Sequence, residues 1–112
     1  ADALLRGVLR PVVAQLASGF GASFGLSSRV LWGNVASALA GAAGMIERLD
    51  GPQLALPAHG IAAATIAGDA SLARSGGYVR DAAGEARFRR TSCCLFYRVA
   101  GGGLCVDCVL CP

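Results

Sequence analysis

Leu4, Leu5, Val8, Leu9, Val12, Val13 and Leu16 recur at the spacing of one helix face, with Arg6, Arg10 and Gln15 elsewhere on the wheel. Pro11 interrupts this run and predicts either a kink or the first residue of a second helix. Gly19, Gly21 and Gly25 then break regularity and leave Phe20 and Phe24 as anchors. A longer helix follows. Ser27 or Ser28 can cap it, and Leu31, Val35, Ala38, Leu39, Ala42, Met45, Ile46 and Leu49 form its apolar stripe. Gly33, Ser37, Gly41 and Arg48 lie off that stripe, and Asp50-Gly51-Pro52 supplies a stop. Pro57 predicts the start of a third helix, running to about Gly68 with Ile61, Ala64 and Ile66 available for burial.

From Ser75 the texture changes. Gly76-Gly77 precede Tyr78-Val79-Arg80, Asp81 to Gly84 reads as a turn, and Arg87-Phe88-Arg89 resumes, so a β-hairpin is expected. A second turn is expected at Gly101-Gly102-Gly103, between Tyr97-Arg98-Val99 and Leu104. The predicted fold class is α+β: a mostly helical part of about three helices over residues 1–74, then a hairpin and an irregular cysteine-rich segment over 75–112. The two portions are expected to share one compact domain.

Composition narrows the function. The chain has 112 residues, 54% hydrophobic and 15% charged, which excludes a wholly disordered chain. Its 22 Ala and 16 Gly bring little apolar area, so the core is thin and profits from a staple or a partner. All ten basic residues are Arg, and a net charge of +3 spread along the chain gives no footprint for nucleic acid. Between Arg10 and Glu47 only Arg29 is charged, yet the uncharged run from Val30 to Ile46 is 17 residues and rich in Gly, Ser and Asn. A spanning helix needs ~20 predominantly apolar residues, so none is expected, and peripheral membrane association stays open.

All five cysteines lie in the last twenty residues. A disulfide framework spreads its half-cystines through the chain it staples, so clustered thiols point to a metal. The pattern is Cys93-Cys94, ten residues, then Cys105-x-x-Cys108, with Cys111 three further on. The two-residue spacer lets Cys105 and Cys108 reach one metal from a tight turn, a feature shared by zinc and iron–sulfur sites. The adjacent pair is harder to place, because neighbouring side chains on a strand face opposite ways. A two-iron cluster tolerates that spacing better than one zinc ion does, which favours iron–sulfur while zinc stays in play.

This C-C-x10-C-x-x-C pattern is preceded by Arg89-Arg90, and its first cysteine pair is followed by Leu95-Phe96-Tyr97-Arg98. It resembles the C-terminal domain of the ferric-siderophore reductases of the FhuF type. The stretch from Arg29 to Ala38 is also similar to the helix that precedes the motif in that family, and the resemblance runs from about Leu26 to Cys108. It implies a [2Fe-2S] cluster held by Cys93, Cys94, Cys105 and Cys108. It implies further that one electron passes to siderophore-bound iron(III) in the cytoplasm, so that iron(II) is released, and that an upstream region belongs to the family's proteins. The enzyme expected is therefore a ferric-siderophore reductase in the cytoplasm or at the inner face of the membrane. Cys111 is an extra thiol relative to the four-cysteine pattern and is expected not to be a ligand.

Arg89, Arg90 and Arg98 flank the cysteines and would raise the cluster's potential or steer an anionic ferric siderophore, unless they are simply solvated. No Rossmann fingerprint or P-loop is present, since Gly19-Phe20-Gly21 to Gly25 has the wrong spacing, so electrons come from an external donor such as a ferredoxin or flavin reductase. His59 is the only histidine, which excludes a Rieske-type site, and it reads as exposed or structural. Trp32 and Asn34 line a pocket or are a core Trp with a hydrogen-bonded neighbour. Tyr97 packs or sits at the surface, Asp107 is expected to be exposed, and no carboxylate pair supports hydrolase chemistry. Two alternatives remain on the residues alone: a structural zinc module for interaction, and a [2Fe-2S] electron carrier without enzymatic activity.

Overall fold

The structure, a computed structural model, describes residues 1–110, and Cys111 and Pro112 lie outside the described residues. It is an α+β fold, helices first and a hairpin last. The first helix, α1, covers residues 2–24, with α-helical Asp2–Leu4 and Ala14–Phe24 either side of a wide π-wound stretch, Leu5–Val13. The Ala14 N–H reaches back five residues to the Leu9 carbonyl. Pro11 sits inside this stretch, lacking an N–H and needing room for its ring, which the wider turn gives it. The helix therefore continues where a break was expected.

Gly19 and Gly21 also stay helical, and only Gly25, at φ +63°, ends the run. Because α1 runs on, it carries Phe20 and Phe24 away from the core. They are not anchors: they stack on each other with ring centroids 5.5 Å apart and are 51% and 68% exposed.

Helix α2 spans Ser28–Asp50, and Ser27 caps it by accepting the Val30 N–H at 3.4 Å. Its buried face is not the predicted stripe but Gly33, Ala36, Ala40 and Ala43. Met45, Ile46 and Leu49 are exposed, while Val35 and Leu39 flank the core half-buried. Small residues let backbones approach closely, and α2 turns its small face toward the next helix.

That helix, α3, spans Pro52–Ala67, with Gly51 at φ +85° as the stop and Pro52 as its first residue. The start thus falls at Pro52, and Pro57 lies inside the helix. Ile66 is buried as expected, whereas Ile61 and Ala64 face outward and Ala55, Ala62 and Thr65 face in. A short α4, Ala70–Ala73, was not legible beforehand; Asp69 caps it and Leu72 is fully buried.

The hairpin is as predicted. Strand β1 (Gly76–Arg80) pairs antiparallel with β2 (Ala86–Arg90), from Gly76 opposite Arg90 to Arg80 opposite Ala86. Its turn closes through the Gly84 N–H on the Asp81 carbonyl at 2.9 Å. The core joins Leu5, Leu9, Ala36, Ala40, Ile66, Leu72 and Phe88, so Phe88 ties β2 to the helices. Trp32 packs against this core half-buried. Past β2 the chain is irregular, as expected, apart from a 3₁₀ turn, Phe96–Arg98. No helix among the described residues is long and apolar enough to cross a membrane.

Candidate metal centre

β2 delivers the chain to the cysteines, and its last residue fastens it to α2. Arg90 is only 5% exposed. Its Nη2 donates to Asn34 Oδ1 at 2.8 Å and its Nε to the Ser92 carbonyl at 3.1 Å. The Ser92 hydroxyl donates to the Arg29 carbonyl at 2.9 Å. This answers the role of Asn34: it holds an arginine. Gly33 makes room, since a Cβ there would lie 2.7 Å from Arg90 Nη2 and 2.8 Å from Ser92 Oγ. The Arg90 backbone N–H in turn takes the Asp107 carbonyl at 3.1 Å, which ties the Cys105–Cys108 turn to the end of β2.

Cys93, Cys94 and Cys105 are half-buried and Cys108 is 1% exposed. Cys94 Sγ and Cys105 Sγ are 3.5 Å apart. Three backbone N–H groups aim at sulfur: Leu95 at Cys93 (3.3 Å), Phe96 at Cys94 (3.5 Å) and Leu110 at Cys108 (3.4 Å). The Cys108 N–H closes the second turn on the Cys105 carbonyl at 3.1 Å. The bend that the adjacent pair demanded falls at Leu95, a non-glycine residue at φ +67°. Such a conformation costs roughly 1–2 kcal/mol for an L-residue and persists only where the surroundings enforce it.

The Gly triplet makes the reversal between the two cysteine pairs. The Gly102 N–H bonds to the Val99 carbonyl at 2.8 Å, and a Cβ on Gly102 would run into the Phe96 and Val99 carbonyls. Both are backbone atoms that cannot swing aside. Gly102→Ala is therefore expected to open this turn, and iron retained per chain after purification should fall at least severalfold. Retention equal to the parent chain would show that the reversal does not set the cysteine spacing.

Do these residues fit a two-iron cluster? Two thiolates at ~2.3 Å from one tetrahedral metal lie about 3.8 Å apart, close to the Cys94–Cys105 separation. Among the described residues, no three His, Cys, Asp or Glu side chains gather about one point where a metal ion could sit. Four sulfurs, of which Cys94 and Cys105 are in contact and three receive a backbone N–H, suit a group with ligand sites on two metals.

Burial, the contact with Cys94 and the neighbouring Asp107 push the Cys105 thiol up to about 12. Without a metal it is a neutral thiol near neutral pH, and a coordinated metal must expel its proton. The sign follows: raising pH favours loading. Cobalt(II) affinity of the cluster-free chain is expected to rise about tenfold per pH unit for each proton released, read from the thiolate-to-cobalt absorption. A pH-independent affinity would remove Cys105 from the ligand set.

The three flanking arginines occupy different surroundings. Arg90 is buried, Arg89 on the opposite face of β2 is half-buried beside a groove, and Arg98 is exposed with its guanidinium 5.7 Å over the Tyr97 ring. Tyr97 itself is 47% exposed and Asp107 half-buried. Cys111 falls outside the described residues. His59, away from the cysteines in sequence, is half-buried and bonded to Tyr78 and Glu47, which no local spacing announced.

No curated protein and no solved structure matches the chain. Residues 90–110 match the family model for the FhuF 2Fe-2S C-terminal domain. The match begins at the buried arginine and covers both cysteine pairs. Residues 90–110 are thus similar to the FhuF 2Fe-2S C-terminal domain, and this likeness, with the cysteines clustered in the same segment, indicates a [2Fe-2S] cluster as the cofactor.

Proposed function

We propose that the chain is a ferric-siderophore reductase whose cluster is held by Cys93, Cys94, Cys105 and Cys108, with Cys94 and Cys105 on the same iron. The observation that carries this reading is the coincidence of the family match over residues 90–110 with a 3.5 Å approach of sulfurs from the two cysteine pairs. When bound, a [2Fe-2S] cluster supplies one electron at a time, the chemistry that turns siderophore-bound iron(III) into iron(II). Hard-oxygen siderophore ligands hold iron(II) far less well than iron(III), and release follows.

The chain's own residues prepare that centre. The Leu95, Phe96 and Leu110 N–H groups place positive dipole ends on three sulfurs. Arg90 adds a buried cation with no carboxylate within 4 Å among the described residues. Burying an uncompensated charge is costly, so an anionic group close by stabilises it. Both features favour the more negative, reduced state and raise the potential. Arg98, exposed beside the pair, is placed to steer an anionic partner. Electrons arrive from an external donor, a ferredoxin or flavin reductase, in the cytoplasm.

Anaerobic protein should contain about two iron and two sulfide per chain and give a rhombic EPR signal on reduction. The reduced protein should then convert a ferric siderophore to iron(II), trapped by a ferrous chelator. One zinc, no colour and no EPR signal would leave a zinc module. A normal cluster that never reduces a ferric siderophore would leave an electron carrier.

A further inference from the structure

Two concavities accompany the cysteine site. The smaller, about 450 Å³ between α1 and α2, is lined by Ala17, Gly21, Leu31 and Trp32 among others and carries no titratable side chain. The larger, about 810 Å³, lies between α2, α3 and the hairpin and reaches Val106 and Asp107 in the Cys105–Cys108 turn. It therefore adjoins the metal centre directly.

On the α2 side the wall is nearly bare: Ser37, Ala40, Gly41 and Gly44. A Cβ on Gly41 would meet nothing within 4 Å, so the missing side chain leaves open space rather than a backbone contact. Polar groups converge from the other elements. His59 on α3 sits between Tyr78 Oη, 3.0 Å from its Nδ1, and Glu47 Oε2, 3.2 Å from its Nε2. Its ring meets Tyr78 edge-on at 5.7 Å. Burial raises the Tyr78 hydroxyl above its ordinary range. Arg48 folds back over Gly44, its Nη1 3.5 Å from where a Cβ would stand. No carboxylate among the described residues pairs with Arg48, whose Nη2 has only Met45 Sδ at 3.9 Å. By contrast, Arg87 on the opposite rim is taken up by Asp81 at 2.5 Å.

We propose that this groove seats the ferric chelate, its organic shell against the bare wall of α2 and its oxygen atoms facing Arg48. The proposal rests on the reductase reading. A pocket of several hundred Å³ with an open floor and a few convergent polar groups is what a small-molecule site requires. Hard-oxygen ligands are acceptors, and the Arg48 guanidinium is a donor. The position beside the Cys105–Cys108 turn brings such a ligand to the side of the fold where the electron is held.

The test uses the cluster-loaded chain and redox-silent gallium(III) chelates, one trihydroxamate and one tris-catecholate, followed by NMR shifts and calorimetry. Binding is expected to shift Tyr78, His59 and Gly41. Gly41→Leu fills open space on an exposed helix face, so the visible and EPR spectra should be unchanged while chelate affinity drops at least tenfold. Arg48→Gln should weaken binding severalfold with the same spectra. Undiminished binding by Gly41→Leu, or shifts confined to residues outside the groove, would overturn the seat. So would reduction of ferric chelates by Gly41→Leu with an unchanged KM, and either result leaves the reductase reading standing. A parent chain that neither binds gallium chelates nor reduces ferric ones would sink both.

Discussion

Cys105→Ser is expected to remove the visible spectrum and EPR signal entirely, with iron and sulfide falling to background. Serine oxygen is a harder and less acidic donor than thiolate, and Cys105 takes part in the 3.5 Å contact with Cys94 and in the turn that binds Asp107 to Arg90. The substitution removes one metal bond and the sulfur of that contact, while the backbone bonds of the turn remain. Cys94→Ser should act alike, because it removes the same close sulfur pair. If either variant keeps a remnant cluster, Mössbauer spectra should show the altered ligand on the same iron in both. Different irons would disprove the pairing. Cys111→Ser is expected to leave the spectrum intact, and loss of colour there would show that the four ligands are wrongly chosen.

Arg90→Met and Gly33→Ala test the fastening of the cysteine segment to α2. Methionine keeps much of the volume of a side chain that is 5% exposed but removes its charge. Asn34 Oδ1 loses its donor at 2.8 Å, a loss of about 1–3 kcal/mol to the local fold. Without the buried cation the reduced centre is less favoured, so the potential should fall by tens of millivolts, ~59 mV being tenfold for one electron. An unchanged potential would make Arg90 a purely mechanical pin.

Gly33→Ala works from the other side. In an exposed helix interior this change stabilises by roughly 1 kcal/mol. Here the Cβ would stand 2.7 Å from Arg90 Nη2, and that side chain can retreat only by giving up Asn34. The two effects oppose each other, so the melting temperature should change little while the cluster is lost severalfold faster in air. Equal cluster lifetimes would show that the segment tolerates undocking.

The cysteine pattern was legible because its spacings are short: two residues between Cys105 and Cys108, and none between Cys93 and Cys94. The hairpin was legible for a similar reason, since Asp81 to Gly84 forms its turn from its own backbone and side chains. The helices were found but not their orientation. Large apolar residues drew the stripe of α2 toward Met45, Ile46 and Leu49, yet the buried face is Gly33, Ala36, Ala40 and Ala43. In a chain so rich in Ala and Gly, close approach of backbones outweighs the area of any one side chain. Pro11 misled because the wide turn of its stretch gives the ring room, and Pro57 misled because the helix already starts at Pro52.

The sequence by itself determined the order of elements, the two turns, the cysteine ligand spacing and the resemblance that goes with it. The turns and the cysteine spacing depend on residues close to one another along the chain. Only the tertiary structure decided that Arg90 is buried, through a partner 56 positions away, and that Ser92 reaches Arg29 across 63. It alone set Glu47, His59 and Tyr78 in line beside an open groove next to the cysteines. Burial and convergence of this kind arise from the packing of α2, α3 and the hairpin, and no local periodicity encodes which faces those elements turn toward each other.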